Sequence, residues 1–302
     1  MRTTFVDVLS KQAVFDDKIF LLTPDMGFSI FESFAEKYPD RFLNTGIAEQ
    51  NTVGVAAGLA LYGFKPYIYS IAPFALVRCL EQIRISAAYM QLNIKIVGGG
   101  GGFAYGPLGA THHIIEDFAF SKVLPNMIVC APADPVEARQ IFEQSLHIPS
   151  PMYIRLAKSK DPIIHNANDI IIIGKSFSFN NGHDLEILTT GTITCSIMEW
   201  IPKLHQQGIS AGITVFPTIK PLDVVFLDKL MNSEKRILIV EEHNVIGGLG
   251  ESICSYFGKK NAKNKIRHLG IPDTYSHFVG SQQFILDKFG IFNVPDIQKI
   301  FE

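Results

Sequence analysis

Short apolar runs alternate with helical stretches along this chain, and that alternation constrains its fold more than any other feature. Strands separated by helices in this way pair in parallel within one sheet. The pattern therefore predicts an α/β fold built from βαβ units. The runs are KIFLLT, KPYIYSI, NIKIVGG, NMIVCAP and PMYIRLA, followed later by LEILTTG, ISAGITVF and RILIVEE.

The alternation is interrupted once, in an irregular stretch over residues 158–184. We place a domain boundary near residue 180 and expect two α/β domains. One helix start before the boundary is well specified, because Asp134 can cap the helix, Pro135 suits its first position and Glu137 lies in its first turn.

Charge and cysteine content disfavour several classes of function. Lys plus Arg total 27 against 29 for Asp plus Glu, a net charge of -2, so there is no electrostatic case for binding nucleic acid or an anionic membrane surface. The 4 cysteines form no CxxC pair and have no zinc-binding spacing, which predicts free thiols in a reducing compartment. We find no signal-peptide pattern and no apolar run of membrane-spanning length, and we expect a cytoplasmic protein.

One carboxylate, Glu49, begins a run of small residues in the stretch NTGIAEQNTVGVAAGLA. Gly54, Ala57 and Gly58 fall on one face at helical spacing, which lets another backbone approach closely. A carboxylate at a helix start also interacts favourably with the helix dipole. From the residues alone, that structural role is favoured over a catalytic one.

A second unusual stretch, VGGGGGFAYGPLGATHHIIED, has five consecutive glycines, Gly98–Gly102, followed by His112 and His113. It lacks the Lys-Ser/Thr of a P-loop and the GxGxxG spacing of a dinucleotide site. We expect the glycines to let the backbone pass close to a ligand or a neighbouring subunit. Adjacent histidines point in different directions, so at most one would face a given site and metal binding is disfavoured. The later GGLG is expected to be a tight strand-to-helix turn.

In combination, several motifs resemble the thiamine diphosphate-dependent enzymes of the transketolase group, most closely their split, C-terminal-half subunits. The resemblance covers nearly the whole chain and implies two doubly wound α/β domains. Residues 1–160 would be a parallel-sheet pyrimidine-binding domain, 161–184 a linker, and 185–302 a smaller, mixed-sheet transketolase C-terminal domain. The motifs are PDRFLNTGIAEQN, GATHHIIED, LPNMIVCAPADPVEA, YIRLAKS, IKPLD and VEEHNVIGGLGES.

The resemblance implies roles for individual residues. Glu49 would hydrogen-bond a ring nitrogen of the cofactor's aminopyrimidine and promote its imino tautomer, a role that requires a buried carboxyl. Phe74 would stack on the pyrimidine, with Tyr69 as the alternative, and Ile47 would also contact the cofactor. His112 would hydrogen-bond a substrate oxygen or relay a proton. The candidates for substrate contact are His112, His113, Arg155, Lys158, Asp25 and Arg78, with salt bridges as the alternative for the two arginines.

Several positions depart from the pattern of sugar-phosphate transketolases. Leu108 stands where those enzymes carry an acid that contacts substrate hydroxyls. At the phosphate-gripping positions Asp25 replaces a Ser, a glycine near Gly100 replaces a His, and Lys158 replaces an Arg. Asp repels phosphate and Lys lacks the bidentate fork of Arg. We therefore hypothesise transfer of a two-carbon ketol or acyl unit involving a non-standard acceptor, for example a modified or nucleotide-linked keto-sugar.

The Gly-Asp-Gly motif, with which family members bind the diphosphate and Mg²⁺, occurs nowhere in this sequence. The resemblance therefore implies an N-terminal-half partner subunit that holds most of the diphosphate and Mg²⁺, an α2β2 hetero-tetramer, and no activity for this chain alone. The alternatives are the β subunit of a 2-oxoacid dehydrogenase, a deoxyxylulose-phosphate-synthase-like enzyme, and a non-catalytic paralogue.

Overall fold

The computed structural model describes residues 1–158 and 161–302, within which twelve strands form two sheets. The strands are β1 (Ile19–Thr23), β2 (Phe42–Asn44), β3 (Lys65–Ile71), β4 (Lys95–Gly99), β5 (Ile128–Cys130), β6 (Met152–Leu156), β7 (Phe177–Asn180), β8 (Leu185–Thr189), β9 (Ala211–Val215), β10 (Thr218–Lys220), β11 (Arg236–Asn244) and β12 (Ile266–Ile271).

The first sheet has the order β10-β5-β6-β4-β3-β1-β2, and its neighbouring strands are parallel except for the pair β10 and β5. The second sheet has the order β12-β11-β8-β9-β7, with β7 antiparallel to β9 and the other pairs parallel. The predicted fold class is confirmed: a largely parallel sheet is followed by a smaller mixed one. The sequence did not predict the position of β10, which comes from the second half of the chain but joins the first sheet.

Helices cover both faces of each sheet. No helix of the described residues is long and apolar enough to cross a membrane. Two π-helical segments, Pro73–Val77 and Ile83–Tyr89, flank the short helix Leu80–Gln82, and single 3₁₀ turns occur at Pro39–Arg41 and Gly106–Leu108. The α-helices are α1 (Arg2–Gln12), α2 (Glu32–Lys37), α3 (Glu49–Leu61), α4 (Leu80–Gln82), α5 (Asp117–Lys122), α6 (Pro135–Ser145), α7 (Ile193–Met198), α8 (Trp200–Gln206), α9 (Val224–Met231), α10 (Leu249–Lys259), α11 (Gln282–Lys288) and α12 (Ile297–Phe301).

The alternation of side chains along β3 shows how the first sheet is sandwiched. Tyr67 and Tyr69 face the cluster formed with Phe5 of α1 and Phe142 of α6. Ile68, between the two tyrosines, faces the opposite cluster, which includes residues of α3. Because successive strand residues point to opposite faces, one strand contributes to two cores. This packing fixes α3 against the sheet and so sets the position of its first residue.

The predicted linker, residues 161–184, is too long. Phe177–Asn180 forms β7 and pairs antiparallel with β9 at the edge of the second sheet. Short edge strands have a weak sequence pattern, because only part of their surface is buried. The second sheet therefore begins before residue 185.

The first part of the linker is anchored by a buried histidine. The ring nitrogens of His165 lie 3.1 Å from Asp134 and 3.2 Å from Glu137, and all three side chains are inaccessible to solvent. Burial, opposed by the charge of His165, raises the pKa of Glu137 to about 7. Burial would also raise the pKa of Asp134, but hydrogen bonds from His165 and from backbone amides outweigh it and lower that pKa to about 2. The cap of α6 therefore also fastens the linker.

This cluster makes stability depend on pH. A carboxyl whose pKa rises on folding binds a proton in the folded state that the unfolded state has released, so its contribution to stability falls as pH rises between the two pKa values. For Glu137 this window runs from 4.5 to about 7. Within this pH window, the unfolding free energy of the wild type is expected to fall by up to about 1.4 kcal/mol per pH unit more than that of Glu137→Gln. Denaturant titrations at pH 5, 6 and 7 measure this loss. Glu143→Gln, on the same helix, is the matched control, and equal pH slopes for Glu137→Gln and the wild type would contradict the prediction.

Candidate active site

Four of the predicted site residues meet where α3, the π-helix Pro73–Val77 and the loop before α5 come together. Arg78 Nη1 donates to Glu49 Oε1 at 2.8 Å, and the Arg78 guanidinium lies 4.3 Å from the centre of the Phe74 ring. The rings of Phe74 and His112 meet edge to face with centroids 5.4 Å apart. An acid, an aromatic face, a cation and an imidazole therefore share one site.

Glu49 is the first residue of α3, and its side chain is only 7% exposed. Ala48 precedes it and offers no side-chain cap. The Glu49 carboxylate pairs with Arg78, while Gln50 Nε2 donates to the carbonyl oxygen of Arg78 at 3.1 Å. Glu49 is thus buried, as its predicted role requires, and its contact lies outside its own helix. These contacts do not support a purely helix-dipole role.

Phe74 reaches the site because the chain forms a π-helix directly after β3. A π-helical turn places one more residue in each turn than an α-helix does, and such turns occur frequently at functional sites. Ala75 and Leu76 are buried, whereas Phe74 is only half-buried. Its ring is therefore available on the surface that faces Arg78 and His112.

The position of Tyr69 does not support its alternative assignment to the cofactor. Its ring is 2% exposed and packs at 6.1 Å from the ring of Phe5 and 5.1 Å from that of Phe31. Tyr69 points into the core beneath α1 because alternate residues of β3 face that side of the sheet. Phe74, in contrast, lies beside Arg78 and His112.

The two histidines of the THH motif point in different directions. Thr111 Oγ1 lies 2.9 Å from His112 Nδ1, and the His112 ring faces Phe74. His113 Nε2 lies 3.2 Å from the carbonyl oxygen of Gly106, and its ring packs edge-on against Phe103. Burial lowers the pKa of His113, which favours its neutral form. This placement holds the loop together and does not support substrate contact by His113.

Arg155 is also buried, and its polar contacts lie within the chain. Its side chain is 9% exposed, with Nη1 at 3.4 Å from Asp117 Oδ1 and Nη2 donating to the carbonyl oxygen of Glu242 at 3.0 Å. The guanidinium also lies 4.7 Å from the centre of the Phe118 ring. Arg155 forms a buried ion pair within the chain, where it compensates the charge of Asp117.

Asp25 and Lys158 lie at the same edge of the first sheet, because they follow the carboxyl ends of the parallel strands β1 and β6. The amide of Asp25 donates to Asn44 Oδ1 at 3.0 Å, and Asn44 Nδ2 donates to the Asp25 carboxylate at 3.2 Å. The Lys158 ammonium lies 4.9 Å from the centre of the Tyr105 ring. Leu108 is 53% and Ile47 78% exposed. The carboxyl edge of a parallel sheet is the usual place for a ligand site.

The five glycines leave room for side chains of the same chain. A Cβ at Gly99 would meet Tyr69, one at Gly100 would meet Tyr105, and one at Gly101 would meet Arg155. In the later GGLG segment, Glu241 accepts hydrogen bonds from the amides of Leu249 and Gly250, both at 2.8 Å. That segment forms the predicted strand-to-helix turn.

The site residues suit one half of a cofactor. A buried carboxylate beside a half-buried aromatic ring matches a flat heteroaromatic ring that carries a hydrogen-bonding nitrogen. Within residues 1–158 and 161–302, no three His, Cys, Asp or Glu side chains converge to hold a metal ion. Sequence reasoning missed the Tyr105 ring, whose centroid is 6.2 Å from that of His112. Its position beside the THH motif was the available signal.

Comparisons with known families match most of the chain. The family described as "Transketolase, pyrimidine binding domain" matches residues 1–162, and that described as "Transketolase, C-terminal domain" matches residues 175–291.

Individual relatives match over most of their length. A subunit of apulose-4-phosphate transketolase from Phocaeicola vulgatus is 34% identical over 296 residues, covering 96% of this chain and 94% of that protein. The 6-deoxy-6-sulfo-D-fructose transketolase subunit SqwH of a Clostridium species is 34% identical over 292 residues, covering 96% of this chain and 90% of that protein. A solved split-gene transketolase, described as an inactive β4 tetramer, has a TM-score of 0.87 and 33% identity, covering 96% of this chain and 93% of that one.

Proposed function

This chain belongs to the transketolase family, whose members depend on thiamine diphosphate, and we propose that it supplies the pyrimidine-binding half of an active site shared with a partner subunit. The observation that carries the proposal is the buried Glu49 beside Phe74 and His112. The relatives named as transketolase subunits favour this function over a 2-oxoacid dehydrogenase β subunit, a deoxyxylulose-phosphate-synthase-like enzyme or a non-catalytic paralogue.

Glu49 and Phe74 would hold the pyrimidine ring. Glu49 would bind a ring nitrogen, and Phe74 would stack on the ring face. Ile47, whose exposed side chain is close to Glu49 in sequence, would also contact the cofactor. Arg78 at present makes contacts of the same two kinds, an ionic hydrogen bond to Glu49 and stacking on Phe74. Its side chain is 45% exposed, so it can turn outward when a ring enters.

Thiamine diphosphate, when bound, supplies the nucleophilic carbon for transfer of a two-carbon ketol or acyl unit. The chain's contribution is to orient the ring and to move protons. Thr111 engages Nδ1 of His112, so we assign Nε2 to a substrate oxygen. A positioned imidazole can hydrogen-bond that oxygen and exchange a proton with it.

The partner would carry the Gly-Asp-Gly domain and hold most of the diphosphate and Mg²⁺, in an α2β2 tetramer. Two relatives are named as subunits, and the solved relative formed of one type of chain is described as inactive. The small-residue face of α3 supports such an assembly, because a Cβ added at Gly54 or Gly58 would meet nothing within 4 Å in the described chain. Leu61 and Tyr62, at the end of the helix, are 62% and 85% exposed.

The acceptor would be a non-standard keto-sugar, modified or nucleotide-linked. Leu108 cannot accept hydrogen bonds from sugar hydroxyls, and Asp25 places a carboxylate at the sheet edge, where it would repel a phosphate. Two of the relatives are named for unusual sugars, apulose 4-phosphate and 6-deoxy-6-sulfo-D-fructose.

A transfer assay with the reconstituted pair tests this function. The chain and a Gly-Asp-Gly subunit are mixed with thiamine diphosphate and Mg²⁺, and two-carbon donors are screened against ordinary and modified sugar acceptors by mass spectrometry. We expect products only when both subunits are present, and higher kcat/KM for a modified acceptor than for ribose phosphate. Efficient turnover of xylulose and ribose phosphates would contradict the proposed acceptor, and no transfer with any donor would contradict the function.

A further inference from the structure

The segment that carries His112 has little regular structure of its own. Between β4 and α5 it forms one 3₁₀ turn, Gly106–Leu108. The segment is closed into a loop at its base, where Gly102 and Ile114 exchange two backbone hydrogen bonds of 2.9 and 3.0 Å. A loop of this kind holds a side chain in place only if its base is fixed.

The second domain fixes that base on both sides of His112. On one side, Glu242 at the end of β11 accepts a hydrogen bond from the amide of Phe103 at 2.7 Å. On the other side, the amide of Asn244 donates to the carbonyl oxygen of Ile115 at 2.7 Å. Phe103 and Ile115 are also buried in the core of the second domain. One strand end therefore holds both sides of the loop.

Glu242 is itself held in a fixed position. Gln282 of α11 donates to both of its carboxylate oxygens, at 2.9 and 2.7 Å. Burial raises the pKa of Glu242, and the nearby Arg155 guanidinium opposes that rise. The side chain thus links α11, β11 and the loop base in one hydrogen-bonded unit.

The contact between Glu242 and the loop requires a glycine at position 102. A Cβ at Gly102 would clash with the Glu242 carboxyl group and with Arg155, and Gly102 has φ of +61°. Any other residue there would push the carboxylate away from the Phe103 amide. The close approach between Glu242 and the loop therefore depends on glycine.

We propose that Glu242 is a positioning residue, which holds the base of the His112 loop through the Phe103 amide and so lets the second domain set the place of His112 in the active site. This inference rests on the proposed function for its effect on catalysis. The contact between Glu242 and the loop can be tested without activity.

Three substitutions test the proposal. Glu242→Ala removes the acceptor. Glu242→Gln keeps an oxygen for the Phe103 amide, and its new NH₂ group can donate to the side-chain oxygen of Gln282 if that amide flips. Gly102→Ala introduces the clash. Gly208→Ala is its matched control, because Gly208 also has positive φ, +76°, but a Cβ there would meet nothing within 4 Å.

The first readout is hydrogen exchange of the amides over residues 103–116 in the folded chain, compared with the amides of β3. We expect Glu242→Ala and Gly102→Ala to accelerate loop exchange at least about tenfold, and Glu242→Gln and Gly208→Ala to stay close to wild type. Unchanged loop exchange in Glu242→Ala overturns the inference, whatever the activity.

The second readout is kinetic and uses the reconstituted pair below its melting temperature. We expect kcat of Glu242→Ala to fall roughly ten- to a hundredfold, because small displacements of a catalytic group are costly, while cofactor affinity stays within about threefold. Glu242→Gln should recover most of the loss. Unchanged kcat despite a loosened loop, or a parallel loss of cofactor binding, would overturn the positioning role. Inactivity of the wild-type pair would instead count against the proposed function.

Discussion

Replacing Glu49 with Gln is expected to reduce two-carbon transfer by about a thousandfold, roughly 4 kcal/mol of transition-state stabilisation. Gln has nearly the same shape and can still hydrogen-bond a ring nitrogen, but it cannot carry the charge or exchange the proton of a carboxyl. Since the side chain is buried against Arg78, water cannot take over that role. The measurement is kcat/KM of the reconstituted pair with saturating cofactor.

Glu81→Gln is the matched control for this substitution. Glu81 is also an acid at a helix start with an arginine partner, at 2.8 Å from Arg84, but its side chain is 64% exposed. Exposed ion pairs contribute little to stability, so the activity of the Glu81→Gln variant should equal that of the wild type. If Glu49→Gln kept activity within tenfold of the control, the assigned role of Glu49 would be wrong.

Replacing His112 with Gln is expected to lower kcat about a hundred- to a thousandfold and to leave cofactor affinity near that of the wild type. The His112 ring lies beside Phe74, so it is placed next to the bound ring without being required to hold it. Gln can hydrogen-bond a substrate oxygen but cannot exchange a proton at neutral pH. The comparison of kcat with the calorimetric affinity for thiamine diphosphate measures the difference.

The neighbouring histidine serves as the control. His113→Gln is expected to lower the free energy of unfolding and to leave kcat close to that of the wild type, because His113 contacts Gly106 and Phe103 inside the loop. A larger loss of kcat in His113→Gln than in His112→Gln would show that the two assignments are reversed.

Local sequence patterns predicted much of the fold, because many strands and helix ends are determined by residues close to one another in the chain. β3 is an apolar run bounded by turn residues, and the α6 cap follows from Asp134, whose Oδ1 accepts from the amides of Val136 and Glu137, both at 2.9 Å. β2, β7, β10 and β12 were not predicted, and all four lie at the edge of a sheet. β7 and β10 are only three or four residues long, and each is formed by antiparallel pairing with residues distant in the chain.

The site shows the same division. Motif resemblance identified Glu49, Phe74 and His112, which the fold brings together. It did not predict that Arg78 pairs with Glu49 or that Glu242 holds the amide of Phe103. These contacts join residues on different elements, and they depend on how α3 and the two domains pack, which no periodicity records.

We propose that this chain holds only half of a thiamine diphosphate site. Calorimetric titration of thiamine diphosphate and Mg²⁺ into the chain alone, into its mixture with a Gly-Asp-Gly subunit, and into the same mixture with Glu49→Gln tests it most directly. We predict that the wild-type mixture binds the cofactor at least about a hundredfold more tightly than the chain alone, or roughly 2.7 kcal/mol, and that the Glu49→Gln mixture binds it more weakly than the wild-type mixture. Binding to the chain alone as tight as to the mixture, or no binding to the mixture, would contradict the claim.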